Sequence, residues 1–127
     1  AVRPFIAVEL ISQCIRAARE EGAVTVGVPV KDTVKEVAPD GRIMRTCDRS
    51  LLWLTQTPQV FRRDIIENAH RAAVRDGFRG TDDTSLVERL GIAVRMIRGD
   101  YGNIKITTPE DLVIAEALLA ASLKAKG

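Results

Sequence analysis

Apolar residues Leu10, Ile11, Cys14, Ile15 and Ala18 recur at three- and four-residue steps between Ala7 and Glu21. That spacing places them on one face of a helix, and Gly22 stands where a C-terminal cap belongs. The next segment, AVTVGVPV from Ala23 to Val30, is a short valine-rich run and reads as a buried strand. A second helix is expected from Arg62 to Asp76, with Ile65, Ile66, Ala69 and Ala73 on one face and Gly77 after it. GTDDTSLVERLG then predicts a short helix with Asp or Thr as its N-cap and Gly91 as its stop. IAVRMI is a further strand, and NIKIT is expected to be the last. Thr108 caps a final helix, Pro109 takes its first position, and Glu110 and Asp111 meet its positive end. Leu112, Ala115, Leu119 and Leu123 carry its stripe. Helices alternating with apolar strands predict an α/β fold with a parallel sheet.

Residues 30–52 break this rhythm. The segment is polar and turn-rich, and Pro39-Asp40-Gly41 is a strong turn signal. TVKEV and RIMRT on either side pair as a hairpin. With so few large apolar residues this is an excursion from the domain, and composition alone reads it as an ordinary surface hairpin. Leu51, Leu52, Trp53 and Leu54 then return the chain to the body and are expected to supply packing, while Pro58 bars a central ladder position beyond Thr57.

Composition narrows the class. The chain has 127 residues, 46% hydrophobic and 28% charged, which suits one soluble domain. No run approaches the length of a membrane span, and AVRPFIAVEL lacks the basic start and long apolar run of a signal peptide. A net charge of +2 gives no argument for nucleic acid. Cys14 and Cys47 match no metal or redox spacing.

The candidate chemistry is a scatter of cations and threonines. In an extended NIKIT segment Ile104 and Ile106 share one face, while Asn103, Lys105 and Thr107 share the other. A lysine there can hold a phosphate as a point charge; spacing alone favours a strand-end lysine whose ammonium reaches water. Arg3 stands beside Pro4 before the first helix, and Arg49 follows Asp48, a neighbour worth little as a surface ion pair. Thr33, Thr57 and Thr81 each sit beside a turn or cap, where threonine commonly satisfies backbone groups. Asp82 and Asp83 read as caps, and His70, the single histidine, as a surface residue. No Ser/His/Asp or Cys/His arrangement and no Gly-rich phosphate loop is present.

Taken together and in order, AVRPF, VPVKDTVK, DRSLLWLTQTPQVF, GTDDTSLVE and NIKITTPEDLVIAE resemble the 2-C-methyl-D-erythritol 4-phosphate cytidylyltransferases of the non-mevalonate isoprenoid pathway. The resemblance covers essentially the whole chain but only the C-terminal portion of that family's single domain. It implies a partial, open, mostly parallel nucleotide-binding sheet of the glycosyltransferase-like kind with a protruding β-arm at residues 30–52. It also implies a cytoplasmic homodimer that joins CTP to a sugar-alcohol phosphate with release of pyrophosphate, aided by Mg²⁺. Such a transfer needs two anions brought in line and their charge compensated, and no covalent nucleophile.

Carried over by motif, Arg49 in DRS and Lys105 in NIKIT match residues that position the methylerythritol phosphate. Thr33 in KDT matches an arm residue that contacts this substrate, and Thr57 in TPQ and Thr81 in GTDD match substrate-site threonines. Ala1 and Arg3 in AVRP match the loop beside the nucleotide and metal. The arm reaches the partner subunit on this reading, so Thr33 and Arg49 serve the neighbouring site. The family's glycine-rich loop has no counterpart here, and its metal-binding Asp stands directly before AVRP. The chain by itself is therefore expected to be inactive and to supply no metal ligand. Rival readings are a ribitol 5-phosphate cytidylyltransferase, a non-catalytic dimerisation module, and one half of a bifunctional enzyme.

Overall fold

The computed structural model describes residues 2–127; Ala1 lies outside them. The valine-rich run forms β1 (Ala23–Pro29), the central strand of a three-stranded sheet. Both its faces are covered, which is why the run is apolar without alternation. Val24 and Val26 point to α1 (Val8–Glu21) and pack with Cys14, Ala18 and Ile97. Ala23 points the other way, into a cluster with Ile65, Ala69 and Ala73 of α2 (Arg63–Arg75) and Leu86 and Val87 of α3 (Asp83–Arg89). Val24 and Val26 are both 0% exposed, and burying each contributes about 1.5–3 kcal/mol. The helix that precedes β1 ends at Gly22, whose φ of +89° suits glycine and where a Cβ would meet Ile65 at 2.8 Å.

The sheet is mixed. β1 pairs in parallel with β5 (Arg95–Arg98) and antiparallel with β4 (Trp53–Phe61). β4 is an edge strand, so Pro58 sits within it without costing a ladder bond on both sides; the Thr57–Pro58 peptide is cis. The pairing shifts register between Thr25–Gln59 and Gly27–Thr55, which bulges β4 at Gln56, Thr57 and Pro58.

The excursion is the predicted hairpin. β2 (Lys35–Val37) and β3 (Ile43–Thr46) form a separate two-stranded antiparallel sheet, exposed along its whole length. The turn closes through Gly41 N–H to the Ala38 carbonyl at 2.9 Å, with Gly41 at φ +86°. An Arg45–Glu36 pair and a Lys35–Thr46 bond cross it, but exposed pairs of this kind contribute little. A 3-10 turn at Arg49–Leu51, capped by Asp48, leads back to β4.

Three expectations differ from the structure. Among the described residues NIKIT runs extended but joins no sheet: its one backbone bond to another segment of them is Ile106 N–H to the Val2 carbonyl, 2.7 Å. Leu51 and Leu54 are 76% and 58% exposed, because they lie at the root of the arm and on the sheet edge. On α4 (Pro109–Lys126) the expected stripe buries only Ala115, while Leu112, Leu119 and Leu123 stay exposed, with Val113 and Ile114 between them. Its apolar residues surround the helix, so one packed line leaves most of them in solvent. The N-terminus of α4 is as predicted, with Pro109 in the first turn and Thr108 and Asp111 in a reciprocal capping box.

Candidate active-site cleft

Arg3 and Lys105 are far apart in sequence and line one cleft of about 260 Å³, with Val28, Gln56, Tyr101 and Asn103. Arg3 enters from the loop before α1 and is half-buried. Its Nη1 donates to the Asn103 carbonyl at 2.7 Å, and desolvation lowers its pKa from the ordinary arginine value. An arginine starts so high that it remains a cation. Lys105 lies exposed on the extended NIKIT segment, two residues beyond Asn103.

Polar anchors hold this segment. Asn103 is 1% exposed. Its Nδ2 donates to the Thr57 carbonyl at 2.9 Å and to Gln56 Oε1 at 3.3 Å. Gln56, itself 6% exposed, donates from Nε2 to the Asp100 carbonyl at 2.9 Å. The β4 bulge turns the Thr57 carbonyl out of the ladder, where Asn103 takes it. Tyr101 ties the same loop to the arm: its hydroxyl donates to the Pro29 carbonyl at 2.7 Å, and Lys31 Nζ stands 3.8 Å from its ring centre.

Arg49 occupies a neighbouring hollow of about 430 Å³ at the arm's root, beside Pro29, Val30 and Trp53. Its guanidinium donates to the Lys31 carbonyl and makes no ion pair with Asp48, whose carboxylate accepts from Ser50 instead. Thr33 is exposed just before β2. Thr57 opens onto a larger cleft of about 890 Å³ lined by Gln59, His70, Phe78, Arg79 and Asp82. Thr81 lines a fourth hollow of about 280 Å³ that shares Thr55 with the Arg3–Lys105 cleft. The structure thus joins Arg3 to Lys105, sets Arg49 and Thr33 on the arm, and opens Thr57 and Thr81 on the α2–α3 side.

Asp82 caps α3 and braces the Thr81 hollow. Desolvation pushes its carboxyl up, but bonds from the Ser85 N–H, Gln59, Thr84 and Ser85 outweigh that and hold it below the usual carboxylate value. His70 is exposed, with Nε2 3.0 Å from Asp83. Among the described residues no three His, Cys, Asp or Glu side chains gather where a metal ion would sit, so the Mg²⁺ the resemblance implies finds no ligand set in them. No helix among them is long and apolar enough to cross a membrane.

Sequence reading missed Gln56, Tyr101 and Lys31 and gave Asn103 only a place on the polar face. Asn103 carried a faint signal, since it is an amide in step with Lys105 and is followed by Ile104. Nothing local marks Gln56, because its burial arises from a loop more than forty residues away.

An α/β domain with a cationic cleft beside a projecting β-arm is the class that the fold and the site define. The family model for 2-C-methyl-D-erythritol 4-phosphate cytidylyltransferase (IspD) matches residues 1–121. The chain belongs to that family. It is 57% identical over 119 residues to the 2-C-methyl-D-erythritol 4-phosphate cytidylyltransferase of Bacillus licheniformis, covering 94% of this chain and 51% of the relative. A bifunctional IspD/IspF enzyme of Desulforudis audaxviator is 55% identical over 118 residues, 93% of this chain and 30% of the relative. The crystal structure of 4-diphosphocytidyl-2C-methyl-D-erythritol synthase from Anaerococcus prevotii superposes with a TM-score of 0.87 at 37% identity, covering 94% of this chain and 53% of that one. The chain spans about half the length of the curated single-function relatives it matches.

Proposed function

We propose that this chain is the C-terminal portion of a cytidylyltransferase domain. The whole protein joins CTP to 2-C-methyl-D-erythritol 4-phosphate, with release of pyrophosphate, in non-mevalonate isoprenoid precursor synthesis. The observation that carries the reading is the cleft shared by Arg3 and Lys105, two cations from opposite ends of the chain that line one space. A phosphate oxygen of the sugar phosphate attacks the α-phosphorus of CTP. The new O–P bond forms as the bond to the β-phosphate oxygen breaks, and pyrophosphate leaves with that electron pair. The protein's work is to hold two anions in line and offset their repulsion.

In this reading Lys105 and Arg49 hold the substrate phosphate, Thr33, Thr57 and Thr81 bond the sugar alcohol, and Ala1 and Arg3 border the nucleotide. Residues 30–52 form a dimerisation arm, so Thr33 and Arg49 complete the active site of the partner subunit. The exposure of both faces of the arm supports that role, since a two-stranded hairpin alone is marginal in water. Mg²⁺ is the divalent ion of the reaction, bound by groups outside this chain, and the protein works in the cytoplasm. The 127 residues alone are inactive.

Pyrophosphate release by the whole protein, measured with CTP against a panel of sugar-alcohol phosphates, tests the reading. Strong preference for ribitol 5-phosphate overturns the substrate assignment. Turnover by the 127 residues alone overturns the assignment of inactivity.

A further inference from the structure

Lys105 sits on a segment that no sheet ladder holds. Its position therefore depends on other anchors, among them Ile106 N–H on the Val2 carbonyl, Arg3 on the Asn103 carbonyl, and the Asn103 side chain on β4. We infer that Gln56 and Asn103 act as a positioning pair that sets Arg3 and Lys105 toward each other across the cleft. The inference rests on the functional reading above for its consequence in catalysis, but not for its geometry.

The polarity of the pair is determined. The Asp100 carbonyl accepts only, so the Gln56 amide must turn Nε2 to it and Oε1 inward. An inward Oε1 needs a donor, and so does the Thr57 carbonyl; the Asn103 Nδ2 serves both. Neither amide can flip without setting oxygen against oxygen. With its side chain so held, Asn103 presents its own carbonyl to Arg3 Nη1 at 2.7 Å. One short chain of bonds thus links the loop of Arg3, the bulge at Thr57 and the segment of Lys105.

Two further observations separate this from ordinary core filling. Among the described residues none donates to the buried Asn103 Oδ1. A buried amide pair is a poor choice for stability alone; over an apolar pair it adds fixed direction. Gly99 also leaves the room that Gln56 occupies: a Cβ there would stand 2.5 Å from Gln56 Oε1 and 2.4 Å from Val26.

The test uses the whole protein carrying Gln56→Met, Asn103→Leu or both. Gln56→Met keeps the volume and the Asn103–Thr57 bond, and serves if Asn103→Leu folds poorly. Two readouts are taken. The first is the order of the Arg3 guanidinium, from ¹⁵N relaxation of its Nε–H. The second is kcat/KM for the sugar phosphate, per folded protein, alongside the Kd for CTP. The expected result is a more mobile Arg3 and a kcat/KM at least tenfold lower, carried by kcat, with the CTP Kd raised as the Arg3 loop loosens. The double variant loses little more than the worse single, because both act through one linkage. Folded variants with an ordered Arg3 and unchanged kcat/KM, or with a lower Tm as their only change, overturn the pair. If the unsubstituted protein turns over no sugar phosphate while Arg3 still loosens in the variants, the functional reading fails and the positioning pair stands.

Discussion

β1 and the arm are both β structure, yet they solve opposite problems. β1 is covered on both faces, and its first six residues are buried. The arm's strands are exposed throughout. The body is held by burial of Val24, Val26 and their neighbours between helices. The arm is held by its turn, a few ladder bonds and surface pairs worth little in water. A stable body thus carries a marginal arm, and the two join where Tyr101 meets Pro29 and Lys31 and Arg49 bonds the Lys31 carbonyl.

The comparison breaks if the body tolerates what the arm should tolerate. Val26→Asp places an unpaired carboxylate at a site with 0% exposure, a cost of several kcal/mol. The expected outcome is loss of the cooperative unfolding transition by circular dichroism in urea; a folded variant of near-normal stability would show that β1 is not the centre of the core.

The junction is sharpened by Lys105→Ala and Arg49→Ala in the whole protein. Each is expected to lower kcat/KM for the sugar phosphate by about 1–3 kcal/mol, the scale of one lost charge-assisted bond, with CTP affinity nearly unchanged. Mixing the two variants decides whether Arg49 acts across subunits. A heterodimer then holds one intact site and one doubly altered site, and activity partly returns. Without recovery, in a sample whose heterodimers are verified by mass spectrometry, Arg49 serves its own subunit.

Asp82 gives a smaller effect with a defined pH signature. Asp82→Ala removes the α3 cap and is expected to cost about 1 kcal/mol near neutral pH. The folded carboxyl titrates below its ordinary value, so the stability it adds is fully present above that value. It is lost as pH falls through the lowered one. Urea midpoints of the parent and the variant should therefore differ at pH 7 and converge in acid; a gap that persists at low pH would assign the loss to packing.

The smallest expected effect is on the arm. Ile43 is 61% exposed, so Ile43→Asp should change the unfolding free energy of the isolated 127 residues by no more than about 0.5 kcal/mol. If the arm meets a partner, the same change in the whole protein should weaken the dimer, as read by light scattering at falling concentration. An unchanged dimer would remove residues such as Ile43 from the interface.

Periodicity and caps were enough to place the helices. The stripe from Leu10 to Ala18, the Gly22 stop and the Thr108-Pro109 start act within a few residues, so local sequence records them. The valine run announced a strand covered on both faces, and Pro39-Asp40-Gly41 announced the hairpin. Five ordered motifs named the family, and Arg3 and Lys105 were both legible as cations beside a turn or on an extended segment. Their meeting in one cleft, however, joins the two ends of the chain. Tertiary structure alone decided that NIKIT would be held by side-chain bonds and a single backbone bond to Val2 rather than a ladder, and that β4 would bulge at Thr57. It also decided that Gln56 and Asn103 would be buried against each other. The reason is physical: a capping bond or an apolar stripe is satisfied by near neighbours, whereas a buried amide takes its partner from whichever distant backbone the packed sheet brings beside it.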